Sequence, residues 1–322
     1  MPTQTTAANP RDFLTGTGLL VLLGALTLYF PVLGFICFFL MPLPVIFYRV
    51  KLGRNPSGMM ATAAIAVIWA LGGRHTIDLW LIACMLGLGF ALGDSLEKDL
   101  TIEKTIAYPC AAVLAGAIAA LIFIGNISES GPWEMTSDYV RKNLQMTAAA
   151  YENMDSGNRS IEMLTGSLDR IHYVLMRIMP AVALSGLVFA AWANLLLART
   201  ILLARGIMHP DFGRLNRWKA PDMLVWGVIG CSLLVVAAGE PLSFVGTNGL
   251  ILLMLIYLFQ GLAVMSFYFE SKQVPVFLRL LIYAFFAIQQ LFALLIVGVG
   301  FFDTWADFRR LSAENGDSGG SS

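Results

Sequence analysis

Over residues 249–269 the chain reads GLILLMLIYLFQGLAVMSFYF, without one charged residue. A helix needs about 20 predominantly apolar residues to cross a bilayer, and this stretch supplies them. Comparable blocks cover 13–30, 32–48, 59–72, 77–93, 106–125, 178–203, 223–238 and 278–302. A water-soluble fold cannot hide them. The 322 residues are 57% hydrophobic and 13% charged, where soluble domains carry about 25% charge, and the mean hydropathy is +0.73. The sequence therefore predicts an all-α, polytopic transmembrane helical bundle. Its 21 basic and 21 acidic residues cancel, which removes the electrostatic case for nucleic acid.

The count of crossings is seven to nine, with nine favoured, because 59–72 is short and joins 77–93 through a few residues. A secretory signal is not the reading for 13–30. Arg11 stands beside Asp12, no small-x-small cleavage site follows, and the next apolar block starts at once. Orientation follows from Lys and Arg near the span ends. A cytoplasmic N-terminus puts Arg49, Lys51, Arg54, Lys98, Lys104, Arg199, Arg205, Arg214, Arg217, Lys219, Lys272 and Arg279 inside, and leaves Arg74 in the short outer loops. Nine crossings would leave Arg309 and Arg310 outside, against that rule. An even count would bring them in.

The chain divides into transmembrane helices over 1–125, an extracytoplasmic amphipathic segment over 126–173, further transmembrane helices over 174–311, and a Gly/Ser-rich disordered tail over 312–322. In the polar segment, Tyr139, Leu144, Met146 and Tyr151, then Ile161, Leu164, Leu168, Ile171 and Leu175, recur at helical spacing. The pattern predicts two amphipathic helices, the second continuing into the following span. They serve either as a lid or partner surface, or as a hairpin lying on the membrane.

Familiar chemistry is missing. His75, His172 and His209 lie in three separate loops, and Cys37, Cys84, Cys110 and Cys231 lie inside apolar blocks. No phosphate loop, nucleophile elbow or dinucleotide fingerprint occurs. No acid/base pair suggests an enzyme acting on lipids. The expectation is a protein without catalysis, metal or cofactor. What lies at membrane depth is neutral: Asn194, Gln260, Gln289 and Gln290. Buried amides must find partners, so each is either inter-helical glue or the lining of a ligand cavity. Asn194, Gln260 and Gln290 are the candidate ligand-binding residues.

Small residues mark packing faces, since they let backbones approach closely. Ala111, Ala115 and Ala119 recur every fourth residue, as do Ala112, Gly116 and Ala120, and Gly89 and Gly93 form a GxxxG. Between the spans, Arg214, Arg217, Trp218 and Lys219 crowd one loop. They suit anionic lipid heads or a docking cytoplasmic partner.

Several stretches resemble one family. Tyr29-Phe30-Pro31-Val32-Leu33-Gly34, Met41-Pro42-Leu43-Pro44, Arg49, Gly58, the run from Asn216 to Asp222 with Trp226, Pro275, Arg279, Tyr283, Gln290, and the closing Asp303-x-Trp305-x-Asp307-Phe308-Arg309 resemble YybS-like bacterial membrane proteins. That resemblance implies a bacterial inner-membrane location and lends no mechanism. The Pro-Leu-Pro span end, the basic glycine-bearing loop and the small-residue span are also similar to substrate-binding subunits of energy-coupling-factor vitamin transporters. This second likeness implies a small-molecule solute and a partner ATPase module, although such subunits have fewer spans and no long outer insert. Two roles stand open: a non-catalytic solute-binding transport subunit, or a membrane scaffold or assembly factor that recruits other proteins.

Overall fold

Every regular element among the described residues is a helix. The computed structural model describes residues 10–71, 76–98, 100–127, 131–154, 166–207 and 212–309. In chain order these form α1 (Pro10–Tyr29), α2 (Pro31–Leu40), α3 (Pro42–Leu52), α4 (Arg54–Leu71), α5 (Thr76–Leu96), α6 (Ile102–Ile127), α7 (Pro132–Met154) and α8 (Leu168–Ala204). A single 3-10 turn (Leu215–Arg217) follows, then α9 (Leu224–Ala237), α10 (Leu242–Ser271), α11 (Val276–Ile288) and α12 (Gln290–Ala306). The polytopic helical bundle is thus the observed fold. Among the described residues, six helices are long and apolar enough to cross a membrane, or seven if α11 and α12 count as one bent span. The 59–72 block sits in α4, whose first turn is polar, and the 223–238 block gives only the 14 residues of α9.

Prolines set many of the boundaries. Pro31 and Pro42 occupy the first turn of α2 and α3, where a missing N–H costs nothing. The two helices continue as one apolar span over Leu33–Leu52. Gly53 ends α3 at φ +87°, a left-handed conformation that side chains rarely accept. In the polar segment, Pro132–Met154 is helical. Beyond it, residues 155–165 lie outside the described set, and α8 extends from Leu168 to Ala204.

The chain forms two compact units, one of Met1–Val140 with Gly186–Asp211 and one of Arg141–Ser185 with Phe212–Ser322. In the first, α3 and α5 are packed through glycine. A Cβ on Gly89 would lie 2.6 Å from the carbonyl oxygen of Pro42, and one on Gly93 would strike the stem of Arg49. The buried Arg49 then reaches along α5, its Nε donating to Asp94 at 2.7 Å and its Nη1 to Glu97 at 2.8 Å. Lys51 pairs with Asp12 at 2.8 Å, so α1 starts where α3 ends. At the other end Tyr29 donates to the Leu71 carbonyl at 2.7 Å, and Tyr139 to Asp78 at 3.2 Å. The small residues of α6 are placed differently. Ala111, Ala112, Ala115, Gly116 and Ala119 are exposed, Ala120 is half-buried, and a Cβ on Gly116 would meet nothing within 4 Å. Of the two small-residue faces read from the sequence, the one on α5 makes a close contact within the chain.

In the second unit, Pro180 lies inside α8. A proline inside a helix opens the turn before it, and here Asn248 of α10 takes up the freed groups. The Ala181 N–H donates to Asn248 Oδ1 at 2.9 Å, and Asn248 Nδ2 donates to the Arg177 carbonyl at 2.9 Å. One side chain replaces the bond that residue 181 would have made to residue 177. At this same end Arg177 bonds Glu240 and Ser243.

Two predictions follow from these packings. Gly89→Ala should lower stability in detergent by about 1–3 kcal/mol, the usual cost of overpacking, whereas Gly116→Ala should leave the melting temperature unchanged. Equal effects would deny that α5 carries the close contact. Asn248→Leu should cost about 1–3 kcal/mol by stranding two backbone groups, and much less in a Pro180→Ala background, where the helix can bond to itself. A double-mutant cycle read by thermal unfolding checks the coupling.

Candidate functional site

Three segments of the second unit converge on buried charge: α10, α12 with the residues that follow it, and the loop before α9. Gln260 of α10 is fully buried. Its Oε1 accepts from the Ala220 N–H at 3.3 Å, and its Nε2 donates to Asp303 of α12 at 3.1 Å. Asp303 receives Arg309 Nη2 at 2.7 Å and the Phe308 N–H at 3.1 Å. The side chains of Arg309 and Asp303 are 0% and 1% exposed, so this ion pair is closed off from solvent. Arg309 Nη1 donates twice more, to the carbonyls of Asn216 at 2.8 Å and Trp218 at 2.9 Å. The loop from Asn216 to Ala220 is therefore gripped along its backbone by one arginine and one glutamine.

The local sequence explains how these groups meet. Gly261 of α10 and Gly300 of α12 each face the other helix's backbone, at Ile296 and Tyr257 respectively. Without side chains there, the two helices close up, bringing Gln260 beside Asp303. Asp307 turns left-handed at φ 39° and ends α12, which folds Arg309 back over the carboxylate six residues before it. Tyr268, in the last turn of α10, donates to the Phe308 carbonyl at 3.0 Å, and Asn216 donates to Glu270. The C-terminal ends of α10 and α12 and the loop before α9 thus share one end of the unit.

The sequence-derived candidates are distributed unevenly around this network. Gln260 stands at its centre, with both ends of its amide bonded to protein. Asn194, in the first unit, donates to the carbonyls of Phe39 at 2.6 Å and Ala190 at 2.7 Å, which binds α8 to the turn opened by Pro42 and Pro44. Gln290 begins α12, and its side chain lies outside the described residues. Arg214 and Arg217 are exposed, Trp218 is half-buried, and Lys219 pairs with Asp222 at 3.0 Å. Reading the sequence named Asp303 and Arg309 only for the family resemblance, not as a site, and missed Asn248. The signal was an acid and a base six residues apart at the end of the last apolar block, but only the backbone reversal at Asp307 makes them neighbours.

A bundle whose apolar helices meet over buried polar locks of this kind defines an integral membrane protein. The chain belongs to the family described as predicted membrane protein (DUF2232), whose model matches residues 18–304. It is also similar to the Uncharacterized protein YybS of Bacillus subtilis (strain 168), at 24% identity over 287 residues, covering 82% of this chain and 86% of that one. No solved structure matches the chain.

The lock generates its own test. Removing one member of a buried ion pair leaves the other uncompensated and costs about 3–5 kcal/mol. Asp303→Asn and Arg309→Met should each lower thermal stability in detergent by that order. The pair Asp303→Leu with Arg309→Leu should recover part of the loss, because two apolar groups bury cheaply. Single variants as stable as the parent would show that the charges are hydrated and the lock open.

Proposed function

We propose that the protein is a non-catalytic scaffold of the bacterial cytoplasmic membrane that recruits other proteins, with its N-terminus in the cytoplasm. The observation that carries this reading is the clamped loop at the buried Asp303–Arg309 pair. A buried ion pair is a poor source of stability, and its best-attested use is to fix register. Here it fixes the backbone of Asn216 and Trp218 while Arg214 and Arg217 remain exposed. The outcome is a basic loop of set shape, suited to an acidic partner surface. The excess of Lys and Arg on this side supports a cytoplasmic location for it.

The solute-binding reading keeps one supporting observation. Tyr257 Oη and Thr304 Oγ1, the latter on the residue after Asp303, are buried without a protein partner. Against it, Gln260, the amide at the centre of the network, already bonds protein at both ends, and Asn194 commits its Nδ2, although not its buried Oδ1, to two carbonyls.

Photo-crosslinking separates the two. A benzophenone side chain at Arg214 or Arg217 should trap a discrete protein in cells, and the adduct should fade when the other arginine is changed to Glu while the melting temperature holds. No adduct, together with loss of solute uptake on Tyr257→Phe, would transfer the case to solute binding. Sidedness is checked with single added cysteines. Lys142→Cys in α7 should react with an impermeant thiol reagent in intact cells, and Arg214→Cys only after permeabilisation. The reverse pattern inverts the orientation.

A further inference from the structure

The last apolar block, 278–302, has the length of a crossing, but the chain turns by 107° between α11 and α12. Its two ends are tied to the same place. At the entry, Arg279 of α11 donates to the carbonyls of Phe269 at 3.1 Å and Val274 at 2.7 Å, which holds the start of α11 against the C-terminal end of α10. At the exit, Phe308 and Arg309 are bound to Tyr268, Asn216 and Trp218, and Tyr268 belongs to that same end of α10. A helix that entered there and crossed would finish at the opposite end, near Glu240. It does not.

We infer that α11 and α12 form a re-entrant hairpin, inserted into the membrane from the side of the Asn216–Ala220 loop and facing the acyl chains of that leaflet. Thirteen residues of α11 reach about 20 Å, short of the roughly 30 Å hydrocarbon core, so the tip at Gln289 stays within the bilayer. At the tip both backbone groups of Gln289 are bonded: its N–H donates to the Phe285 carbonyl at 3.0 Å, and its carbonyl accepts from the Phe292 N–H at 3.0 Å. An irregular turn at membrane depth needs that satisfaction. Residues 280–302 carry no charge, and α11 turns Val276, Phe277, Leu280, Leu281 and Phe285 outward, at 77%, 76%, 69%, 52% and 50% exposure. In water such a face would be an aggregation patch, and in a leaflet it is ordinary lipid contact. The hairpin also places Lys272, Arg279 and Arg309 on the side of Arg214 and Arg217, which fulfils the basic-residue rule that a full crossing would break.

The test uses the full chain in cells and in vesicles, with the native cysteines kept and the unchanged protein as the blank. Lys272→Cys and Ala306→Cys should both resist an impermeant thiol reagent in intact cells and react after permeabilisation, while Gly239→Cys in the α9–α10 turn reacts at once. Ala306→Cys behaving like Gly239→Cys would mean that α11 and α12 cross, and would overturn the hairpin. A bimane label on Leu281→Cys in vesicles of bromine-labelled phosphatidylcholine should be quenched. Absence of quenching would mean that a second copy or another protein covers α11, which overturns the lipid contact. Neither outcome depends on the loop recruiting a partner.

Discussion

A polypeptide in hydrocarbon must satisfy its own backbone, because no water is there to do it. Prolines begin α2 and α3 and lie inside α6 and α8, and a proline within a helix leaves groups that regular helix would have paired. At two such places a side-chain amide supplies bonds. Asn248 spans the opening at Pro180 by bonding both sides of it, and Asn194 donates to Phe39 beside the Pro42–Pro44 turn. Gln260 does the same for a loop, accepting from Ala220. The neutral polar residues within the apolar helices are in this sense part of the backbone's hydrogen bonding.

The ion pair at Asp303 and Arg309 extends that logic to charge. Each partner alone would be costly to bury, and together they have most of their remaining hydrogen-bonding capacity used, the buried Arg309 Nε excepted. Asp303 has Gln260, Phe308 and Arg309; Arg309 has Asp303 and two carbonyls. Because these partners come from α10, α12 and the loop before α9, the pair sets where three segments stop relative to one another. The close approach at Gly261 and Gly300 is what makes the pairing reachable, so packing and electrostatics specify one arrangement.

Hydropathy made the spanning helices legible, since the bilayer demands length and apolarity in a continuous run. The 3.6-residue period made α7 legible as well. Small residues were only half informative: Gly89 and Gly93 do mark a close contact, but the longer alanine pattern of α6 looks outward. Composition tells which faces are smooth without saying what lies opposite. Asp303 was passed over as a site because its neighbours in sequence are Phe301, Phe302, Thr304 and Trp305, and its partners are set by chain reversal and tertiary contact. Gln260 drew notice for the right reason, its burial, but whether an amide faces a cavity or a loop is decided by atoms 40 residues away along the chain.

Apolar length is blind to direction. A hairpin entering and leaving by one face contains as many apolar residues as a crossing, so window hydropathy scores 278–302 as a span. Charge at the flanks breaks the tie: Lys272 and Arg279 precede the block and Arg309 and Arg310 follow it, a symmetry that one crossing would split between compartments. The hydrogen bonds of Arg279 and of Tyr268 to opposite ends of the same block express that symmetry in space. Basic residues on both flanks of one uncharged stretch, with a paired glutamine at its middle, are therefore the sequence form that a re-entrant element takes in this chain.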